Sequence, residues 1–259
     1  MRFMTCNIRT STADDGDDHW ERRKALCVSV ILDREPDVFG VQEAKEDQLI
    51  YIKAAMSRYG SYGLPDEPGG HNGTNTIFYL NDRFESISQG GYWMSETPHV
   101  PGSSSWDSRC VRLANWVILK DRESGVEFRF VNTHLDHISQ PAVVGQARTI
   151  NEDAAAYDPD YPQILTGDMN ANITHPGIQS LFEAGWRDTY ACVHGDGEPG
   201  NTFHKFQGDQ WDGGSGKIDW VFVRGRVEVK GAEIVKDSEG GRFPSDHYFI
   251  SADCEVSAC

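Results

Sequence analysis

The sequence predicts a β-rich α/β sandwich flanked by helices. Three observations carry that expectation: short alternating or wholly apolar runs outnumber stretches with helical spacing, the helical stretches fall between strands early in each half, and polar clusters close many of the apolar runs. Residues 2–8 alternate as a strand, and an Asp-rich loop, Asp14–Asp18, leads into a helix from Trp20 to Leu32. Pro36 and Asp37 punctuate before Val38–Val41, a buried strand. Glu46–Arg58 reads as a second helix, closed by Tyr59-Gly60 and a turn-rich loop from Pro65 to Gly73. Thr76–Leu80, Phe84–Met94, Ala114–Lys120 and Phe128–Asn132 are strands, whereas Pro98–Arg109 is too polar and too rich in Gly, Ser and Pro, and reads as an ordered functional loop. Pro141–Ala156 is a helix with proline in its first turn, Pro162–Thr166 a strand, and Ile178–Ala184 a short helix. Lys217–Val223, Val227–Val235 and Tyr248–Cys254 complete the strands.

Composition bounds the function. A hydrophobic fraction of 38% and seven Trp in 259 residues supply a substantial core, and no interior linker, low-complexity tract or repeat divides the chain, so residues 1–259 are expected to form one domain. The net charge of −16 repels polyanions, so long DNA or RNA is a disfavoured partner, while the same acidity suits a protein that concentrates divalent cations. No run of 18 apolar residues occurs and Met1 leads almost directly into the first strand. The expectation is a soluble, cytoplasmic monomer without membrane contact, secretion requiring a leader already removed. The six cysteines lack CxxC spacing, which signals neither a zinc ribbon nor a redox pair, and Cys6, Cys27 and Cys254 read as core thiols.

Six polar clusters stand at strand ends: Thr5-Cys6-Asn7, Gly40-Val41-Gln42-Glu43, Asn132-Thr133-His134-Leu135-Asp136, Gly167-Asp168-Met169-Asn170, Lys217-Ile218-Asp219 and Ser245-Asp246-His247. Asp168, an acid between Gly167 and Met169 at the exit of an apolar strand, is poorly explained by packing; as a carboxylate it could orient and deprotonate a water, with Asn170 donating to the oxygens of a phosphoryl transition state. Glu43 and Asp246, with the amide of Asn7 nearby, suit a hard divalent ion, which needs only one or two carboxylates besides water and substrate oxygens. His247 is a donor to phosphate whose second nitrogen needs an orienting carboxylate, for which Asp219 is the candidate. Strand alternation puts His134 and Asp136 on one face and turns His137 away, which argues against a zinc pair. Arg112 is a candidate anion clamp, with a plain surface arginine an equal reading. Trp93, Trp106, Trp211 and His71 lie in segments expected to border the cleft, where an exposed indole suits stacking on a sugar or base, core or loop packing being the competing explanation.

In this order the motifs Thr-x-Asn-Ile-Arg (5–9), Gln-Glu (42–43), Asn-Thr-His-Leu-Asp-His (132–137), Gly-Asp-Met-Asn (167–170), Lys-Ile-Asp (217–219) and Ser-Asp-His (245–247) resemble the endonuclease/exonuclease/phosphatase superfamily, with its deoxyribonuclease-I-like fold. The resemblance spans essentially the whole chain and is closer still to compact bacterial members, through Asn-x-Ile-Phe-Tyr (75–79), Tyr-Trp-Met-Ser-Glu-Thr-Pro (92–98) and Trp-Asp-x-x-Cys-x-Arg (106–112). It implies a four-layer sandwich, two central and mostly antiparallel β-sheets covered by helices. It also implies that Glu43 and Asp246, helped by Asn7, bind Mg2+ or Mn2+; that His134 and His247 contact the scissile phosphate; and that Asp219 orients His247, Asp168 activates water and Asn170 stabilises the transition state. Arg112, Asp136 and Trp106 are the expected substrate contacts. Gly213-Gly214-Ser215-Gly216 stands where inositol polyphosphate 5-phosphatases carry a different segment, and Asp66, Glu67, Asp196, Glu198 and Asp209 make the rim loops acidic, unlike those of apurinic endonucleases. No apolar hairpin of the kind found in sphingomyelinase-like members is present. The expected activity is therefore metal-dependent hydrolysis of a small phosphomonoester or phosphodiester by in-line attack of water. The alternative is a nuclease acting on short single-stranded ends. A noncatalytic scaffold is disfavoured by the intact motifs, and a two-carboxylate glycosidase gives no reason for paired His and Asn at strand ends.

Overall fold

A computed structural model describes residues 1–70 and 74–259; His71, expected near the cleft, lies outside the described residues. Two six-stranded mixed sheets form the centre. The first carries β1 (Arg2–Asn7), β2 (Val38–Gln42), β3 (Tyr59–Tyr62), β4 (Ile77–Leu80), β11 (Val227–Val235) and β12 (Phe249–Val256), in the order β11-β12-β1-β2-β4-β3. The second carries β5 (Phe84–Trp93), β6 (Leu113–Asp121), β7 (Glu127–His134), β8 (Gln163–Asp168), β9 (Arg187–Asp188) and β10 (Asp219–Arg224), in the order β5-β6-β7-β8-β10-β9. Each sheet has one parallel pair at its centre, β1 with β2 and β7 with β8, and antiparallel partners on either side.

The strand period of two sorts the side chains. Phe3, Val38, Phe130, Ile164 and Val221 face the gap between the sheets and form one core. Their neighbours in sequence face outward: Met4, Phe39 and Val41 pack under α1 (Trp20–Asp33) and α2 (Glu46–Ala55), while Val131, Leu165, Trp220 and Phe222 pack under α3 (Gln140–Ala154) and α4 (Pro176–Glu183). The result is helix, sheet, sheet, helix, the deoxyribonuclease-I-like arrangement. Ser139 caps α3 by accepting from the Ala142 N–H at 3.3 Å, and Pro141 occupies its first turn, where a missing N–H costs nothing. Arg23 of α1 is fully buried and spends its guanidinium on the carbonyls of Ile8, Arg9, Asp18 and Pro244, tying the end of β1 to the segment before Ser245.

Two expectations require correction. The second helix ends at Ala55, and Tyr59–Tyr62 is an edge strand pairing with β4, because Tyr59 and Tyr62 are β formers whose backbone continues the ladder. The stretch after Trp186 also holds β9 and a helical turn, α5 (Thr189–His194), capped by the Asp188 carboxylate on the N–H groups of Tyr190 and Ala191.

Along the inner faces, apolar residues give way to polar ones toward one edge. Phe3, Thr5 and Asn7 follow at intervals of two on β1; Val38, Gly40 and Gln42 on β2; Phe130, Asn132 and His134 on β7; Ile164, Thr166 and Asp168 on β8. In the middle tier, Gln42 Nε2 donates across the gap to Asn132 Oδ1 at 2.6 Å and to Thr5 Oγ1 at 3.0 Å. Asn132 Nδ2 donates to the Val41 carbonyl at 2.8 Å, and Thr166 Oγ1 lies 3.1 Å from Asn132 Oδ1. Gly40 makes room for this bridge, since a Cβ there would sit 2.3 Å from Asn132 Cγ. Gly40→Ala is therefore expected to destabilise the fold by about 2 kcal/mol in urea unfolding, as overpacking of a filled core does.

Candidate active site

The six strand-end clusters converge at one edge of the gap. Asn7 is central: its Nδ2 donates to Asp168 Oδ2 at 2.9 Å and Glu43 Oε1 at 3.1 Å, and lies 3.5 Å from His247 Nε2. Its Oδ1 accepts from the Arg9 N–H at 3.0 Å. His134 Nε2 stands 3.4 Å from Asp168 Oδ2 and accepts from Asn170 Nδ2 at 2.9 Å. His247 presents Nε2 to Asp168 Oδ2 at 3.8 Å, while Nδ1 donates to Asp219 Oδ2 at 2.9 Å. Asp246 lies beside this group, 3.6 Å from Arg9 Nε, a contact not expected from the sequence. Glu43 and Asn170 both hold positive φ, 64° and 47°, a backbone region non-glycine residues seldom occupy and one that recurs at working sites. At Asn170 it turns the chain back, so that its own N–H donates to Asp168 Oδ1 at 2.9 Å.

Burial sets the electrostatics. Desolvation, reinforced by Asp219, raises the Asp168 carboxyl to about 7 against the opposing pull of His247. Burial lowers His247, but the Asp219 and Asp168 carboxylates outweigh it and hold the imidazole well above its usual value. His134 goes the other way, pushed well below by burial and then by Arg112 and His247. The two histidines beside Asp168 are thus biased in opposite directions, His247 toward the imidazolium and His134 toward the neutral ring. The Asp246 carboxyl is raised, chiefly by burial.

Glu43, Asp168 and His247 each offer one ligand atom within 4.8 Å of the other two. The Glu43 and Asp168 carboxylates of this group suit a hard divalent cation, whereas His247, biased toward the imidazolium, would have to give up its Nε2 proton to join them. Asp246 is not one of these three, although it stands within electrostatic reach of Glu43.

Arg112 borders the cluster. Its Nη2 is 3.3 Å from His137 Nδ1, and its charge lowers His134. Asp136 and Trp106 do not join the cluster, and the expectation that Asp136 shares a face with His134 is corrected here. Strand β7 ends at His134, so alternation no longer carries Asp136 to the same face. Its carboxylate is wholly buried and accepts from Ser108 Oγ and from the N–H groups of Arg109, Cys110, Ile138 and Ser139. Asp136 thereby clamps the 106–110 loop to the start of α3. Trp106 packs on Gly145 of α3 beneath Arg148, where an added Cβ would lie 2.5 Å from the indole. Trp93 is buried, its Nε1 donating to the Asp66 carbonyl, and Trp211 lies edge-on to Phe203, whose ring is 5.1 Å from that of His247. The core thiols are as expected: Cys6, Cys27 and Cys254 are buried and free.

A two-sheet sandwich with this set of acids, amides and imidazoles at one edge defines a hydrolase of phosphoester bonds. The chain belongs to the Endonuclease/Exonuclease/phosphatase family, whose profile it matches over residues 4–247. Among solved structures it resembles an endonuclease/exonuclease/phosphatase from Bacteroides vulgatus, with 29% identity and a TM-score of 0.90 over 99% of this chain and 98% of that one. A mannosyl-6-phosphatase from Bacteroides thetaiotaomicron is also similar, with 29% identity and a TM-score of 0.88 over 99% of this chain and 100% of that one. Nocturnin of Drosophila melanogaster is 24% identical across 99% of this chain, which spans 47% of that protein's length. No helix among the described residues is long and apolar enough to cross a membrane.

One charge near the site stands apart from the cluster. Lys217 is buried, with Nζ 3.2 Å from Asp188 Oδ1 and 2.9 Å from the centre of the Trp220 ring, and burial pushes its ammonium down to about 8 despite Asp188. The unfolded chain keeps this proton to a higher pH than the folded one, so the group's contribution to stability rises as pH climbs from about 8 to 10.5. In urea unfolding, the stability of wild type relative to Lys217→Met should improve by about 3 kcal/mol across that interval.

Proposed function

We propose that this protein is a divalent-cation-dependent phosphoesterase that hydrolyses a small phosphorylated molecule, with a sugar phosphate monoester the first candidate. The observation that carries this reading is the buried Asp168 carboxylate. Among the described residues it has no lysine or arginine partner, its pKa is raised to about 7, and it sits among Asn7, His134 and His247. A general base works best with a pKa near the operating pH.

Asp168 takes the proton of the attacking water, while the Asn170 backbone bond keeps the carboxylate aimed into the site. The His247 imidazolium, held by Asp219, stabilises charge on the phosphoryl oxygens, and Asn7 and Asn170 bring amides to the same space. Neutral His134 positions the phosphate without adding a second cation beside His247. Glu43 and Asp246, with Asn7 adjacent, would hold Mg2+ or Mn2+, which leaves Asp168 free to take the proton and His247 to stabilise the phosphoryl charge. Such an ion, when bound, polarises a phosphoryl oxygen and eases departure of the leaving oxygen. The carboxylates Glu43, Asp168, Asp219 and Asp246 at this edge, on a chain of net charge −16, support attraction of cations over long nucleic acid. The similarity to a mannosyl-6-phosphatase supports placing a sugar phosphate first. The free thiols suit a reducing cytoplasm.

The test is a panel of sugar phosphates, other phosphomonoesters, phosphodiesters and short oligonucleotides, assayed with Mg2+, Mn2+ or EDTA. Turnover should need the metal, and Asp168→Asn and His247→Ala should each lower kcat by about 1,000-fold. Metal-independent turnover, or full activity in both variants, would sink the mechanism. Preference for oligonucleotides over every small ester would replace the substrate reading with that of a nuclease.

A further inference from the structure

The hydrogen bond from His247 to Asp219 crosses between the two halves of the site. Asp219 opens β10 in the second sheet, whereas Asp246 and His247 lie on the segment entering β12 in the first. Neither backbone reaches the other through the sheet ladders. Strand β9 meets β10 only at Phe222 and Val223, so the Ile218 and Asp219 amides lie beyond its end. Both donate instead to one side chain: the Thr202 hydroxyl accepts from Ile218 N–H at 3.0 Å and from Asp219 N–H at 3.1 Å.

The same residue holds the other partner. The Thr202 carbonyl accepts from the Tyr248 N–H at 2.8 Å, Phe203 forms an antiparallel bridge with His247, and the His204 N–H donates to the Asp246 carbonyl at 2.8 Å. Residues 202–204 therefore run beside 246–248 as a short improvised strand. Thr202, wholly buried, reaches from it across to the backbone of Asp219. An apolar residue there would leave two buried N–H groups without a partner and release the Asp219 backbone from the 202–204 segment, its pairing with Asp168 of β8 fixing it to the second sheet alone.

We infer that Thr202 is the positioning residue of the Asp219–His247 pair, fixing the distance between two backbones that no strand pairing connects. As a claim about catalysis this rests on the phosphoesterase reading above; as a claim about geometry it does not. Thr202 touches no reacting group, so its effect must pass through Asp219 and His247. Displacing a working group by about 1 Å costs on the order of 100-fold in rate.

The experiment compares Thr202→Val, which keeps the shape and loses the acceptor, with Thr202→Ser, which keeps the acceptor. On whichever ester wild type turns over, Thr202→Val should lower kcat about 100-fold with KM changed less than about threefold, and Thr202→Ser should stay within about threefold of wild type. In an Asp219→Ala background, Thr202→Val should cost less than about threefold more, because the pair it serves is gone. Leu119→Ala, a destabilising change at the opposite end of the same core, should leave kcat unaltered. A readout independent of turnover is the far-downfield proton resonance of His247 Nδ1–H, identified by its loss in Asp219→Ala: it should persist in Thr202→Ser and vanish in Thr202→Val. Should Thr202→Val not fold, Thr202→Ala carries the same expectations. The inference is overturned if the acceptor-less variant keeps both kcat and the resonance, or if its loss is fully additive with Asp219→Ala. An inactive wild type that nevertheless shows the resonance pattern would count against the phosphoesterase reading alone.

Discussion

Everything at the site depends on one contact between amides. Gln42 belongs to the first sheet and Asn132 to the second, and their hydrogen bond at 2.6 Å spans a gap otherwise filled by hydrocarbon. Apolar packing is tolerant of sliding, since one aliphatic surface fits another in many registers. A directional bond between buried amides is not, because any displacement leaves polar atoms unpaired in a low-dielectric interior. Thr5, Thr166 and the Val41 carbonyl add further hydrogen bonds to the same pair, and each strand then needs at most two more residues to reach Asn7, Glu43, His134 or Asp168. The registration of the two sheets is thereby passed directly to the chemistry.

The site also concentrates like charge at some cost. Glu43, Asp168, Asp219 and Asp246 crowd around one cationic imidazole and the Arg9 guanidinium, and three of the four acids are fully or almost fully buried. Burial of unpaired carboxylate is expensive, and the raised values at Asp168 and Asp246 express that cost. The positive φ of Glu43 and Asn170 adds backbone strain at the same edge. A cation bound among the acids would relieve much of the repulsion between them.

The strand and helix order was largely legible because inner and outer faces both bury apolar residues, which leaves clean alternation or continuous apolar runs. The convergence of Asn7, Glu43, Asp168, Asn170, Asp219, Asp246 and His247 was legible because each closes such a run, where polarity has no packing explanation. Asp136 misled because its spacing from His134 is right only if the strand continues, and the end of a strand leaves no mark in a period of two. Thr202 and Arg9 went unread for a different cause. Thr202 falls in the polar stretch between Asp196 and Asp209 that reads as an acidic rim loop, and Arg9 closes the first motif with no role of its own. Their importance comes from long-range contacts that no local pattern encodes.

The two sheets repeat one plan, a central parallel pair with antiparallel neighbours, and the site draws one part of its groups from each. Asn7, Glu43 and Asp246 move with one sheet, and His134, Asp168 and Asp219 with the other. A small rotation of one layer over its twin would leave every distance within a layer intact while changing every distance between them. Catalytic competence in this molecule is in that sense a gauge of shear, far more sensitive to slippage between layers than any measure of folded content, because helices and ladders on either side would register nothing.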